Sequence, residues 1–390
     1  MKLFKSLLVA PATLGLLAPL SATANELNIT DVSSYSSSEE IQNISEFNPA
    51  EELAVTNSRV DGLEARLNNY EAGSFSSTTA ASFGADFVIG AVDGAASGKE
   101  AVTFNYQYGM NLSTSFTGED TLALTIETGN SSSTASASIL DMNDMSDKMT
   151  LDGISYTFPL GDKTTVMVGD STDVSALYST ACTYSAFTDL LSNCGSGTAA
   201  GLGGGSDSGS TASSATVAAA YDFGNGFTMA GGMSGAGGDD EGLFTKESLD
   251  VYGLQAAYTT DSYGVSLSYA LTDTSATAET SFVGLNAFYN FASEGFPSIS
   301  VGYESEDPSA GVTEEGYFVG LTWAEVGAGS LSVGMSSTEN FKDTDTEYYQ
   351  YEAAYSYPIN DGMTITPGVF IKEQTGDDQT GIIVKTSFSF

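Results

Sequence analysis

Residues 102–116 read VTFNYQYGMNLSTSF. Val102, Phe104, Tyr106, Tyr108, Met110, Leu112 and Phe116 share one face of an extended chain, with Thr114 among them. Thr103, Asn105, Gln107, Gly109, Asn111, Ser113 and Ser115 share the other. Side chains alternate across a strand with period two, so the stretch is a strand with one apolar and one polar face. The pattern recurs in Tyr263, Val265, Leu267, Tyr269 and Leu271, in Tyr317, Val319, Leu321 and Trp323, and in Tyr349, Tyr351, Ala353, Tyr355 and Tyr357.

Sixteen such runs follow Phe75. They lie near 75–92, 101–116, 121–128, 149–158, 163–170, 214–223, 226–234, 248–259, 262–271, 280–291, 296–304, 313–324, 329–337, 347–357, 362–372 and 380–390. Short connections follow the even runs and longer ones follow the odd runs, the longest at 171–213. Alternating short turns and long loops mark a transmembrane barrel. The charges Asp86, Glu127, Asp222, Glu304, Glu352 and Lys385 all fall in the polar phase, as a lipid-facing apolar phase requires. Asp250 falls in the apolar phase at a strand end. Aromatic residues cluster at the ends of the apolar faces, as membrane girdles do. The expected fold is an all-β, 16-stranded antiparallel transmembrane β-barrel over residues 73–390. A soluble β-sandwich would also alternate, but it has no reason to alternate its loop lengths. Pro367, in the outward phase, cannot donate a ladder hydrogen bond, so a bulge or strand break is expected there.

The N-terminal part differs. Lys2 and Lys5, the apolar stretch Leu7–Leu20 and Ala22-Thr23-Ala24 form a secretory signal peptide, with cleavage after Ala24. Residues 25–50 are rich in Ser, Asn and Glu and read as a periplasmic tail. In 51–72, Leu53, Val60, Leu63, Leu67 and Tyr70 form a short heptad seam. An isolated helix this short is marginal in water, so a trimeric coiled-coil stalk is expected, with a plug at the barrel mouth as the alternative.

Composition excludes several functions. There are 11 Lys+Arg against 50 Asp+Glu and no His. Nucleic acid is not an expected partner, because neutralising phosphates needs Lys and Arg. The absence of His removes the commonest general base and zinc ligand, so no enzyme, cofactor or metal centre is expected. GLGGGS at 201–206 lacks the Lys of a phosphate loop, and GAGGDDEG at 235–242 matches a calcium loop only in composition. Cys182 and Cys194 are the only cysteines. In an exported chain they are expected to form a disulfide, with a two-Cys metal site the poorer reading.

The segment RVDGLEARLNNYEAGSFSSTT at 59–79, the start NELN, the Cys-x11-Cys loop with SAFTDLL and the Phe-terminated barrel resemble cyanobacterial outer-membrane porins. These are related to carbohydrate-selective porins and are also labelled iron-uptake porins. The resemblance implies a trimeric channel in the outer membrane for inorganic ions and small solutes. Family members usually carry a surface-layer-homology domain before the stalk. Here Phe47-Asn48-Pro49 leads almost directly to the stalk, which removes the basis for expecting peptidoglycan binding.

General porins fold the loop after strand 5 into the barrel, the position held here by 171–213. Asp170, Asp173 and Asp189 are therefore the expected constriction, with a solvated cap outside the barrel as the alternative for this loop. Asp86, Asp222, Glu304, Glu352 and Lys385 are the expected pore lining. Carboxylates at an eyelet favour cations. Ile382, Val384, Thr386, Phe388 and Phe390 end the chain on one face, and Phe390 is the expected signal to the barrel assembly machinery. The expected function is a passive, cation-leaning channel. A carbohydrate-selective channel and a non-conducting structural barrel are the alternatives, and an outer-membrane lipase is disfavoured by the lack of His.

Overall fold

The computed structural model describes residues 78–95, 100–131, 135–195, 215–235, 248–275, 278–292, 295–337 and 346–390, with Gly242 and Thr245. The signal peptide, tail and coiled coil expected within 1–72 lie outside these residues.

Sixteen strands run in chain order: β1 Thr79–Asp93, β2 Thr103–Thr114, β3 Thr121–Gly129, β4 Thr150–Pro159, β5 Thr164–Asp170, β6 Ala215–Gly224, β7 Phe227–Gly235, β8 Asp250–Thr259, β9 Tyr263–Ser275, β10 Ala278–Tyr289, β11 Ser298–Pro308, β12 Glu314–Val326, β13 Gly329–Ser337, β14 Tyr349–Asn360, β15 Met363–Lys372 and β16 Gln379–Ser389. Each pairs antiparallel with its sequence neighbours, and β1 pairs with β16 to close a barrel. Closure leaves no sheet edge, so every strand finds two partners. The backbones of Phe83 and Phe390 bond each other in both directions at 2.8 and 3.0 Å, and their rings stack at 5.6 Å.

The period-two pattern sorts the wall as expected. Val217, Leu254, Leu267, Leu285, Val319 and Val369 point outward and are about half exposed in the isolated chain. A continuous apolar outer surface of this extent needs lipid around it. At the short-turn rim, outward aromatics meet in pairs: Phe223 with Phe227 at 5.1 Å, Tyr258 with Tyr263 at 5.9 Å and Tyr289 with Phe291 at 4.9 Å. No helix among the described residues is long and apolar enough to cross a membrane.

The short turns carry their own chemistry. Asn225 (φ 57°) and Gly226 (φ 85°) make the β6–β7 turn, where two left-handed residues match the twist of the hairpin. A side chain at Gly226 would also meet the Thr259 carbonyl, so this position needs Gly for both reasons.

In the β2–β3 turn, Asp120 accepts hydrogen bonds from the Phe116 and Thr117 amides at 2.9 and 2.8 Å. It also accepts from the hydroxyls of Ser115, Thr117 and Tyr156 at 2.8, 2.8 and 2.7 Å. These donors, the Thr117 amide foremost, hold its carboxyl well below the usual carboxylate range. A depressed folded-state value means the turn is stabilised above the ordinary range and loses that support as pH falls below about 4. We therefore expect wild type to lose thermal stability on acidification, and Asp120→Asn to start lower and flatten that dependence. Melting of the two proteins in detergent at pH 7 and pH 3 checks this. Parallel acid slopes would show that Asp120 does not hold the turn.

Two expectations are corrected. Pro367 produces neither bulge nor break. β15 stays continuous, and Pro367 pairs with Val384 on β16. Towards β14 the register is the same on both sides of Pro367, from Ala354–Gly368 to Tyr357–Ile365, and the irregularity lies further on, between Pro358 and Asn360. The missing amide is absorbed by a local gap in the ladder. Second, the inner face is not uniformly polar. Val88, Val92, Ala354, Phe370 and Ile383 point inward and form a buried apolar cluster. The cluster is completed by Ala137 and Ile139 of the short helix α1 (Ala135–Ile139) in the β3–β4 loop, and by Phe187 of the β5–β6 loop.

Candidate functional site

Residues 171–195 of the β5–β6 loop lie against the inner wall, and their path can be followed bond by bond. The Thr172 carbonyl accepts from the Thr216 hydroxyl at 2.5 Å. A 3-10 turn at Val174–Leu177 then packs on β6, β7 and β8. Ser179 donates its amide to Gln255 at 2.7 Å and pairs its hydroxyl with Thr228 at 2.7 Å. The Thr183 amide donates to Ser300 at 3.0 Å and the Ser185 amide to Thr322 at 3.3 Å. The chain has thus passed from β7 to β12 along a row of polar side chains.

The loop is anchored at Glu352 on β14. One carboxylate oxygen accepts from the Tyr184 hydroxyl at 2.7 Å and the Phe187 amide at 2.8 Å. The other accepts from the Thr188 amide at 2.8 Å and from the Thr188 hydroxyl. Hydrogen bonds to a carboxylate are about twice as strong as neutral ones. Gln350, two residues earlier on the same face, donates to the Leu190 carbonyl at 2.5 Å.

Inward glycines make room for the loop. A Cβ on Gly320 or Gly334 would stand within 2.4 and 2.6 Å of Tyr184, and one on Gly368 within 2.2 Å of the Phe187 ring. Gly253 and Gly302 likewise admit the Tyr178 hydroxyl and the Cys194 carbonyl. The wall therefore lacks side chains where the loop rests. The Tyr184 ring meets Phe318 edge-on at 5.1 Å, and Leu191 and Cys194 close a second small apolar cluster with Phe318. Cys182 and Cys194 are disulfide-bonded, with Cα atoms 6.2 Å apart.

Burial pushes the Tyr178 phenol up to about 12. Burial first, then the neighbouring Glu352, raise Tyr184 far above the usual phenol range. Both phenols are therefore neutral at physiological pH and add no charge to the lumen.

The predicted residues fall in different places. Asp189 opens a 3-10 turn, Asp189–Gly195, and is exposed. Asp173 precedes the first 3-10 turn and is half-buried. Asp170 pairs with Ile154 and Ala215, in the phase of outward Val168, so it stands on the outer side of the wall at the loop end of β5. Asp86 points inward and accepts from Gln107 at 2.7 Å. Asp222 is exposed at the short-turn rim, where it accepts from the Gly224 amide at 2.7 Å. Glu304 and Glu352 point inward but are only 7% and 4% exposed, so neither is bathed by lumen water. Lys385 points inward between Thr366 and Val88.

Sequence reasoning missed Gln255, Ser300, Thr322 and Gln350 as loop anchors, because the polar phase holds many such residues. It also missed the inner apolar cluster. The signal there was present in Phe87-Val88-Ile89, Val369-Phe370-Ile371 and Ile382-Ile383-Val384. Apolar runs without alternation mark strands covered on both faces.

No family model matches the chain, and no curated protein matches it. Solved structures do. A loop-deletion variant of OmpT, an outer membrane protein of Vibrio cholerae, matches with a TM-score of 0.56 at 12% identity, over 80% of this chain and 99% of that one. OprB of Pseudomonas putida matches at 0.57 and 11% identity, over 80% and 94%. A mutant of the Rh. blastica porin matches at 0.50 and 15% identity, over 80% and 100%. The chain folds as an outer-membrane β-barrel. Its closed sixteen-strand wall and outward apolar belt are the features shared with that fold.

Proposed function

We propose that this protein is an outer-membrane porin, a passive channel for inorganic ions and small hydrophilic solutes, with no enzymatic activity. The observation that carries this reading is the β5–β6 loop fastened to the inner wall at Glu352. A barrel that is solid throughout has no use for a loop held by a row of specific hydrogen bonds across its lumen. A loop so placed narrows the passage to a fixed width.

The channel leans towards cations. Asp173 and Asp189 on the loop, with Asp86 and Asp222 on the wall, supply its charge, and Asp170 acts only at the rim. The chain has a formal net charge of -39, so its field favours cation entry. In the same reading, residues 1–24 direct export and are removed, 25–50 form a periplasmic tail, 51–72 make a short trimeric coiled coil, and 73–390 form the barrel. Phe390 is the contact for the assembly machinery. The likeness at 59–79 and in the cysteine loop supports a place among cyanobacterial porins.

A second reading, a structural barrel that does not conduct, draws on the apolar cluster that fills part of the lumen. Planar-bilayer recording separates the two. We expect discrete openings in KCl and a reversal potential of the sign for cation preference under a KCl gradient. Absence of openings would reject the channel, and anion preference would reject the acidic constriction.

A further inference from the structure

The wall on the short-turn side of Phe187 holds a polar cavity of about 220 Å3. Hydroxyls of Ser332, Ser356, Thr364, Thr366 and Ser387 line it, and Lys385 is the one cationic side chain among its lining residues. Loop residues 185–187 form its roof.

The Lys385 ammonium makes no hydrogen bond or ion pair among the described residues. Of the nearby carboxylates, Glu352 is fully engaged and Asp86 has one oxygen engaged. Asp86, opposite Ser387 in the register, accepts from Gln107, and the Glu352 oxygens are filled by loop donors. Lys385 thus stands with open donors among hydroxyls that can both give and accept hydrogen bonds.

The chemistry of this cavity defines its occupant. An ammonium takes an oxyanion through short charge-assisted hydrogen bonds. A bare halide accepts from the ammonium and the hydroxyls but offers no donor to the hydroxyl oxygens, which a solute hydroxyl does. The volume falls below the ~300 Å3 at which pockets for drug-sized ligands begin, so the solute has only a few heavy atoms.

We propose that this cavity is a binding subsite for small hydroxy carboxylates. The carboxylate sits on Lys385, and the solute hydroxyl pairs with the hydroxyls of Thr366, Ser387 or Ser356. In transport, which rests on the porin reading above, the subsite retains such solutes in a lumen whose overall charge repels free anions. Binding itself does not depend on conduction.

Ligand-observed NMR titration of the detergent-solubilised protein with lactate tests this, with glycerol as the uncharged control. Saturable lactate binding, absent for glycerol, is expected. Lys385→Met should weaken it by about tenfold or more, the loss expected for a charge-assisted contact. Thr366→Val, which keeps the wall charge and shape, should weaken it by a smaller factor. No saturable lactate binding to wild type would overturn the proposal. So would equal binding by wild type and both variants. Lactate binding to a barrel that shows no bilayer conductance would keep the subsite and reject the channel. Conductance without lactate binding would do the reverse.

Discussion

Replacing Glu352 by Gln is expected to release the β5–β6 loop from the barrel wall and turn a steady passage into a wider, noisier one. The carboxylate now accepts from two backbone amides and two hydroxyls. A carboxamide of the same shape has one accepting oxygen and one donating nitrogen. The Tyr184 and Thr188 hydroxyls can rotate to accept, but the Phe187 and Thr188 amides cannot. One of those amides must then face an N–H at about 2.8 Å. An orphaned buried donor costs about 1–3 kcal/mol, and the lost charge assistance adds to this. A total near 3 kcal/mol shifts the docking equilibrium by about a hundredfold. Glu352→Ala should go further, since it leaves every donor unmet. The barrel ladders do not depend on Glu352, so the folded barrel should persist while residues 171–195 become open to proteolysis. Single-channel recording and limited proteolysis read the two effects separately. Wild-type conductance and noise in both variants would show that the loop is held elsewhere.

The strands were legible because their cause is local. In 102–116 each side chain reports its own face, and the same is true of most of the sixteen runs. Lipid outside leaves only one way to orient them. What sits inside was less legible. Glu352 is recognisable as inward from its phase alone, but nothing beside it in the sequence points to Phe187 and Thr188, which are more than 160 residues away. Asp170 closes the run 163–170, so its own phase, and not the neighbouring loop, decides its side. Taken as the start of the loop it belongs to the lumen; as the last residue of β5 it takes the outward phase of Val166 and Val168. Phe370 and Ile383 hide in another way. Their neighbours Val369, Ile371, Ile382 and Val384 already satisfy the lipid face, so the inward apolar residues add no periodicity of their own. They register only as unbroken apolar runs, and their partner helix α1 has too few residues to announce itself.

The rate of disulfide reduction should report how tightly the loop is docked. Cys182 and Cys194 close a loop with a sequence separation of 12. A crosslink over a segment of this length lowers the entropy of the undocked loop by about 3 kcal/mol in the chain-entropy picture. In the docked state Cys194 is only 1% exposed, and it packs with Leu191 and Phe318. Cys182 is half-buried, so a thiolate reductant approaches the docked disulfide only from that side, and undocking opens both sulfurs. Wild type should therefore be reduced slowly. Glu352→Gln should be reduced faster, by at most the factor with which it populates the undocked loop, about a hundredfold by the estimate above. Once reduced, wild type loses the crosslink's contribution and should itself show noisier openings. The Cys182→Ser, Cys194→Ser double variant should match reduced wild type and ignore reductant. These outcomes separate the two anchors, because Glu352 acts on the docked state and the disulfide on the undocked one. Equal reduction rates for wild type and Glu352→Gln would mean that docking does not shield the sulfurs, and the loop would then be positioned by the disulfide and its apolar cluster rather than by the carboxylate.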